Sequence, residues 1–292
     1  MIKDFSCWVK NREYSEPSGK SRKEWIINKN TNEIGLFKWP KDYKTYEHCS
    51  EKLAYEIAEI IGIKCAKIDI GEYRNQVGCI SYLINNIYKY EQLNHGLEYI
   101  ISIRENYDDK ECIDKNSGEF YNLELILEAV REYELEDDVL RMMIFDYIIG
   151  NTDRHEKNWA TIVSGQETRF SPLYDNGSSL CAYESDEKIL NNSNNREWYN
   201  SRLIGKSKSC IRIDKEDKKY PKHQEVMKYI KSNYYEQTIE FVSNISKKLD
   251  EDIIFKLINK YPESLISKHR KEFLIRYLND KVNGLIEIYE LK

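Results

Sequence analysis

Two short polar motifs in the middle of the chain have the residue types and spacing of a metal-dependent phosphoryl-transfer site. Asp153 is followed by four residues and then by Asn158, and Asp175 is followed by Asn176 and Gly177. In phosphoryl-transfer enzymes an Asp with this spacing accepts the proton of the attacking hydroxyl, while an Asn and the Asp of an Asp-x-Gly sequence bind Mg²⁺. Asp153 is therefore a candidate base, and Asn158 and Asp175 are candidate metal ligands.

A buried helix is predicted just before the first motif. Residues 139–149 are apolar nearly all round the helical period, and Gly150 is a natural helix stop. Such a helix would deliver its C-terminal end to the loop that contains Asp153. A single Asp or Asn in a loop is more often a cap or turn residue, but the ordered combination favours a catalytic site.

A hairpin is predicted between the two motifs. Residues 159–163 and 169–173 have strand-like sequences, and a Ser-Gly-Gln turn separates them. The hairpin would bring Asn158 and Asp175 close together in space. Oxygen ligands of this kind suit Mg²⁺, which completes its octahedron with water and phosphate.

At these residues the chain resembles the HipA family of bacterial serine/threonine kinases. The family's catalytic loop, Asp-x-His-x-x-Asn, is matched by Asp153, His155 and Asn158, and its active site is also similar to that of phosphoinositide 3- and 4-kinases. The resemblance covers roughly residues 15–180. It implies an α+β, two-lobed protein-kinase-like fold, with a small β-rich lobe over residues 1–85 and a larger, mostly helical lobe over 86–292.

The resemblance also implies a phosphate-covering loop near the N-terminus. Four residues match this loop and are candidate ATP contacts: Ser18, Gly19, Lys20 and Ser21. In the family the loop can carry an autophosphorylated serine, for which Ser18 and Ser21 are the candidates. Backbone N–H groups and a lysine can cradle phosphates there, although a polar loop in this position is ordinarily a solvated turn.

A lysine and a helical glutamate complete the implied phosphate site. Lys38, at the end of a short predicted strand, matches the family lysine that contacts the nucleotide phosphates, and Glu51, in the first turn of a helix predicted over 50–62, matches its partner. Glu47 is a competing candidate for that partner. His155 either braces the catalytic loop or contacts phosphate, and the sequence leaves both roles open.

The adenine site is predicted at the end of the small sheet. Strands over residues 66–70 and 76–84 complete this sheet, and the nucleotide base would lie against Tyr82, Leu83 and Asn85 at the hinge between the lobes. Tyr82 and Leu83 fit equally well as ordinary strand residues. Beyond the motifs, residues 225–245, 250–261 and 271–285 have apolar residues at helical spacing and are predicted to be packing helices.

Composition excludes several other classes of protein. The 292 residues are 40% hydrophobic and 33% charged, which is typical of a folded globular protein, and no apolar run approaches membrane-spanning length. Seven cysteines without a Cys-x-x-Cys pair indicate neither a zinc site nor a disulfide framework, so a cytoplasmic location is expected. A net charge of −5 argues against direct nucleic-acid binding.

The expected function is that of an ATP- and Mg²⁺-dependent serine/threonine protein kinase that acts on a protein substrate and on itself. A lipid or small-molecule kinase is an alternative, and so is a nucleotide-binding pseudokinase that sequesters a partner. Family members can be toxins held by an inhibitory antitoxin partner. Because almost no sequence precedes the phosphate loop, a short, stand-alone form is expected here, which weakens that inference.

Overall fold

The computed structural model describes four ranges of the chain: residues 2–14, 22–42, 44–86 and 89–291. The predicted phosphate-loop residues lie outside them: Ser18, Gly19, Lys20 and Ser21. Their assignment to ATP binding and autophosphorylation therefore stays a prediction.

A six-stranded sheet occupies the N-terminal part of the chain. Its strands are β1 (Lys3–Asp4), β2 (Val9–Lys10), β3 (Lys23–Ile27), β4 (Ile34–Lys38), β5 (Ile68–Tyr73) and β6 (Gln76–Tyr82). The spatial order is β1-β5-β6-β4-β3-β2, with β1 parallel to β5 and the other neighbours antiparallel. One face is covered by an aromatic cluster that includes Phe5, Trp8 and Phe37. The opposite face carries Lys38 and packs in part against the helix that follows β4.

Helix α1 (Glu47–Ile61) connects β4 to β5 and packs against β5 and β6. Ala54 and Ile57 on its inner face are fully buried. The helix ends at Gly62, whose φ of 84° is a conformation that glycine adopts without strain. The helix predicted from residue 50 is therefore present and begins earlier, at Glu47.

The rest of the chain is mostly helical. Its strands are β7 (Gln92–His95), β8 (Tyr107–Asp108), β9 (Ile113–Asp114), β10 (Ala160–Ser164) and β11 (Glu167–Phe170). Its α-helices are α2 (Gly96–Ile103), α3 (Leu123–Val130), α4 (Glu136–Ile149), α5 (Asp186–Asn191), α6 (Arg196–Asn200), α7 (His223–Asn233), α8 (Tyr235–Lys248), α9 (Glu251–Asn259) and α10 (Lys268–Tyr289). Among the described residues, none of the helices has the length and apolar character needed to cross a membrane. The lobe boundary after residue 85 stays a prediction.

Helix α4 forms the centre of the large core. It packs against α3, α7, α8 and α10, and every residue from Val139 to Ile149 except Arg141 is buried. The prediction of a buried helix over 139–149 is therefore confirmed. The helix ends at Gly150, with a φ of 66°, and a methyl group at this position would overlap the Tyr277 hydroxyl. The C-terminal end of α4 is thus fixed where the candidate catalytic loop begins.

One predicted helix is divided into two in the structure, and the predicted hairpin forms and pairs with a further strand. Residues 225–245 form two helices, α7 and α8, because the backbone leaves the helical region at Tyr234 and the Asn233 side chain bonds back to the Tyr229 carbonyl. The predicted hairpin forms as β10 and β11, and β10 also pairs with β7. This second pairing joins segments that are far apart in the chain.

Candidate active site

Lys38 lies at the centre of an ion-pair network that joins three elements. Its Nζ lies 2.5 Å from Oε1 of Glu51 on α1 and 2.8 Å from Oδ1 of Asp175. The other Glu51 oxygen accepts the backbone N–H of Asn176 at 3.0 Å. Glu51 is only 2% exposed, so water competes little with these contacts. The structure thus brings together three predicted site residues that are distant in sequence.

Glu47 does not take the place of Glu51. It lies one turn earlier on α1 and lines the recess around Lys38, which we call the lysine recess. Both of its carboxylate oxygens lack a hydrogen-bond partner among the described residues. The structure therefore places Glu51, and not Glu47, on Lys38.

The network keeps its members charged. Burial opposes the charge on Lys38, but the carboxylates of Asp175 and Glu51 outweigh it and raise the lysine's pKa. The Lys38 ammonium, in turn, lowers the pKa of Asp175 to about 2 against the opposing effect of burial. A positive Lys38 and an ionised Asp175 are the states needed to hold phosphates and a divalent cation.

Lys23 is a second cation of this site, which the sequence prediction did not include. It pairs directly opposite Lys38 across β3 and β4 and lines the same recess. Burial and the nearby Lys38 lower its pKa, while Asp175 opposes that shift. Two adjacent ammonium groups need an anion, so this pair is suited to phosphate. No local sequence signal placed Lys23 there, because its position depends on the register in which β3 pairs with β4.

Asp153 lies on the loop after α4, with its side chain exposed toward two depressions. Its backbone N–H donates to Oδ1 of Asn151 at 3.1 Å, and Asn151 donates in turn to Oδ1 of Asp146 at 3.1 Å. Desolvation and the Asp175 charge raise the pKa of Asp153, while His155 opposes them. A carboxylate with a raised pKa is a better proton acceptor than an ordinary surface Asp.

Arg154 is the residue that fixes this loop. It is 1% exposed, and its guanidinium donates to both carboxylate oxygens of Asp146, at 2.9 and 2.7 Å. It also donates to the Asn158 carbonyl at 2.7 Å and to Oδ1 of Asn176 at 2.6 Å. One buried side chain therefore ties the two motifs and helix α4 together. No local sequence pattern distinguished Arg154 from the other arginines.

Asn158 and Asp175 have the chemistry expected of a Mg²⁺ site. Asn158 is 5% exposed, and its Nδ2 donates to the Asp153 carbonyl at 2.7 Å. This bond turns the amide oxygen away from Asp153 and leaves it available as a ligand. Asp175 adds an ionised carboxylate, held at a φ of 55° by its surroundings. Hard oxygen donors of this kind fit Mg²⁺.

Two depressions meet at Asp153. The lysine recess is lined by Lys23, Lys38, Glu47, Glu51, Asp153 and Asp175, among others. The open groove is lined by Asp109, Asp153, His155, Glu156, Lys206 and Lys208, among others, and has a volume of about 590 Å³. Asp153 is therefore placed between the lysine recess and the open groove.

His155 lies on the groove side of the loop. Its Nδ1 accepts the backbone N–H of Lys157 at 3.2 Å, and its carbonyl accepts the backbone N–H of Asn158 at 2.8 Å. The ring does not line the lysine recess. These contacts support the bracing role over direct contact with phosphate.

The predicted adenine-binding residues are placed differently from the phosphate site. The side chain of Tyr82 lies on the opposite face of the sheet from Lys38, where it packs on Trp8 and donates to Asp69 at 3.0 Å. The Leu83 N–H donates to the Ile34 carbonyl at 3.1 Å. The Asn85 amide donates to the Glu91 carbonyl at 2.9 Å. The structure therefore does not bring the Tyr82 ring to the face that carries Lys38.

Comparison with known proteins gives consistent likenesses. The family model for the HipA-like C-terminal domain matches residues 10–232. Serine/threonine-protein kinase CtkA of Helicobacter pylori is 24% identical over 277 residues, covering 88% of this chain and 78% of that protein. The crystal structure of CtkA, described as a proinflammatory kinase, matches with a TM-score of 0.82 at 20% identity and covers 99% of this chain and 97% of that one.

A more distant likeness is to a chain of the toxin–antitoxin complex of HipA, HipB and operator DNA from Shewanella oneidensis MR-1. It has a TM-score of 0.58 at 14% identity, covering 89% of this chain and 61% of that one. Together with the CtkA match, it confirms the predicted α+β, two-lobed kinase-like fold.

Proposed function

The chain belongs to the HipA-like C-terminal domain family, and we propose that it is an ATP- and Mg²⁺-dependent serine/threonine protein kinase. The observation that carries this proposal is the Lys38 network, in which one ammonium group contacts both Glu51 and Asp175 beside the exposed Asp153. CtkA, to which the chain is similar over most of its length, is named as a serine/threonine kinase.

In the proposed reaction each residue has a separate task. Lys38 and Lys23 bind the ATP phosphates in the lysine recess, and Glu51 holds Lys38 in position. Asp153 orients the acceptor hydroxyl and takes its proton as the oxygen attacks the γ-phosphorus, while the bond from that phosphorus to the β–γ bridging oxygen breaks and ADP leaves. Asn158 and Asp175 would hold Mg²⁺, which neutralises charge on the phosphates when it is bound.

The loop contacts explain how Asp153 keeps its orientation. Asn151 accepts its backbone N–H, and the Asn158 amide donates to its carbonyl. Arg154 donates to the Asn158 carbonyl and to Oδ1 of Asn176, and so holds the catalytic loop against the Asp175 motif. A base held in one geometry avoids the entropic cost of ordering it during the reaction.

Autophosphorylation and an inhibitory partner are further parts of the proposal. Ser18 and Ser21 are the proposed acceptors in the chain itself, and a dianionic phosphate on this loop would repel ATP. The similar HipA structure was solved with HipB and operator DNA. By analogy, an inhibitory protein partner is proposed here. The proposed phosphate acceptor in the substrate is a Ser or Thr side chain of another protein.

The test is phosphate transfer by the purified protein in Mg²⁺ and ATP, with the modified residues located by mass spectrometry. Wild type is compared with Asp153→Asn, which keeps the side chain's size and removes the base. Asp252→Asn, an exposed residue in the first turn of α9, is the control. We expect Asp153→Asn to reduce transfer by about a hundredfold or more and Asp252→Asn to leave it unchanged.

The same experiment separates the alternatives. Equal labelling of wild type and Asp153→Asn would contradict the assigned base. ATP consumption that depends on an added small acceptor, with no phosphate on any protein, would favour a small-molecule kinase instead. ATP binding without turnover on any acceptor would favour a pseudokinase.

A further inference from the structure

The open groove beside Asp153 has no task in nucleotide binding, since the proposed function places the phosphates in the lysine recess. Its walls come from segments that are distant in sequence: the catalytic loop, the connection at Asp109 and residues 206–210, together with Tyr121 and Tyr220. Asp153 lines both depressions. A hydroxyl that enters from the groove therefore meets the base where the groove adjoins the lysine recess. The inference that follows rests on the proposed function.

Residues 206–210 form a rigid wall of the groove. The Lys206 N–H donates to the Ser201 carbonyl at 2.7 Å, and the Ser209 N–H donates to the Pro221 carbonyl at 3.0 Å. Between them, the buried Ser207 hydroxyl accepts a hydrogen bond from Lys281 at 2.7 Å. The backbone positions from which Lys206 and Lys208 project are therefore fixed.

Two of those side chains are uncompensated cations. Lys206 and Lys208 are both exposed, and neither forms an ion pair with any residue in the described ranges. Lys157, the third lysine of the groove, is different because it already pairs with Asp109. A chain with a net charge of −5 thus presents two unpaired positive charges beside its proposed base.

The groove also contains an unsatisfied hydrogen-bond acceptor. Glu156 is 2% exposed, and its Oε2 has no hydrogen-bond partner in the part of the chain that the structure describes. An extended peptide supplies backbone N–H groups at regular spacing, and one of them can satisfy this oxygen.

We propose that the open groove binds the protein substrate as an extended peptide with acidic side chains near the phosphorylated residue, and that Lys206 and Lys208 select those acidic side chains. The Ser or Thr hydroxyl then reaches Asp153, while the acidic flank pairs with the two lysines. A neutral peptide loses these ion pairs, and a basic peptide meets like charge.

The first test is binding, which does not require catalysis. Fluorescent peptides with one serine and acidic, neutral or basic flanks are titrated with the full-length protein and followed by anisotropy. The variant is Lys206→Glu with Lys208→Glu, and the matched control is Lys247→Glu with Lys248→Glu, two exposed lysines at the end of α8. We expect wild type and the control to bind the acidic peptide roughly tenfold more tightly than the neutral one, and the variant to lose that preference.

The second test is phosphorylation of the same peptides with γ-labelled ATP. We expect the groove variant to lower kcat/KM for the acidic peptide by roughly tenfold and to leave the neutral peptide unchanged. Phosphorylation of the neutral and acidic peptides at equal rates, or a preference for the basic one, would overturn the groove inference while leaving the kinase proposal standing. Selective binding of the acidic peptide without transfer to any peptide would leave the groove inference standing and contradict the kinase proposal. The binding test is repeated with vesicles that contain phosphoinositides. Binding of these vesicles, with no binding of the acidic peptide, would also overturn the inference.

Discussion

Replacement of Lys281 by Met is expected to stabilise the protein at neutral pH. Lys281 lies on α10 and is 1% exposed. Its ammonium group donates to the Ser207 hydroxyl at 2.7 Å and lies 4.6 Å from the centre of the Tyr147 ring. No carboxylate pairs with it among the described residues. A long apolar side chain such as Met fills the same space without a charge.

The size of the effect follows from the cost of the buried charge. Desolvation lowers the pKa of Lys281 from 10.5 to about 7. At about 1.4 kcal/mol per pKa unit, this costs the folded state on the order of 5 kcal/mol at pH 7. The Met side chain forms neither the hydrogen bond to Ser207 nor the cation–π interaction with Tyr147, and their removal offsets about 2 kcal/mol. The net gain for Lys281→Met is therefore about 3 kcal/mol at pH 7.

The sign of the pH dependence is also fixed. Between pH 7 and 10.5 the unfolded wild type binds more protons at Lys281 than the folded one, so wild-type stability rises with pH over this window. The advantage of Lys281→Met is greatest at pH 7 and below, and shrinks to near zero by about pH 9. His223, which contacts the same Ser207, does not interfere, because burial lowers its pKa to about 3.

The assay is urea unfolding of wild type and Lys281→Met at several pH values from neutral to alkaline. Lys247→Met, at an exposed position on α8, is the control and should match wild type throughout. If Lys281→Met is less stable than wild type at pH 7, or if its gain in stability does not change with pH, the cost assigned to the buried Lys281 charge is wrong.

Three further predictions concern the loop after α4. Arg154→Met should lower the free energy of unfolding by about 3–5 kcal/mol, because it leaves Asp146 buried without its cation. Urea unfolding measures this loss, and a loss below about 1 kcal/mol would contradict the prediction. Gly150→Ala should lower the melting temperature, since φ is 66° and the new methyl meets Tyr277, whereas an unchanged melting temperature would show that this turn relaxes freely. The rate of phosphate transfer should fall as pH decreases through the pKa of Asp153, which lies above the ordinary value of 3.8. A pH–rate profile whose acid limb lies at or below pH 3.8 would count against Asp153 as the base.

Local motifs carried much of the site in the sequence. The spacing from Asp153 to Asn158 and the Asp175 motif lie within short segments. The pairing of Lys38 with Glu51 was implied by the family resemblance, and Glu51 lies in the second turn of α1. The structure brings Glu51 and Asp175 onto Lys38. Asp153, Asn158 and Asp175 were accessible because each of their motifs lies within a few consecutive positions.

Residues whose roles depend on pairing register or distant contacts were not accessible. Lys23 faces the recess only because β3 pairs with β4 in one particular register. Tyr82 faces the other side of the sheet for the same kind of reason, since side chains alternate along β6. Lys206 and Lys208 reach the groove through contacts between segments far apart in the chain.

The central claim is phosphoryl transfer from ATP, and it is tested most directly by the position of the label. The protein is incubated with Mg²⁺ and either γ-labelled or α-labelled ATP, and the radioactivity in protein acceptors is counted. The account predicts label from γ-labelled ATP alone, and its loss in Asp153→Asn. Incorporation from α-labelled ATP would show nucleotidyl transfer instead and contradict the roles assigned to Asp153 and Lys38.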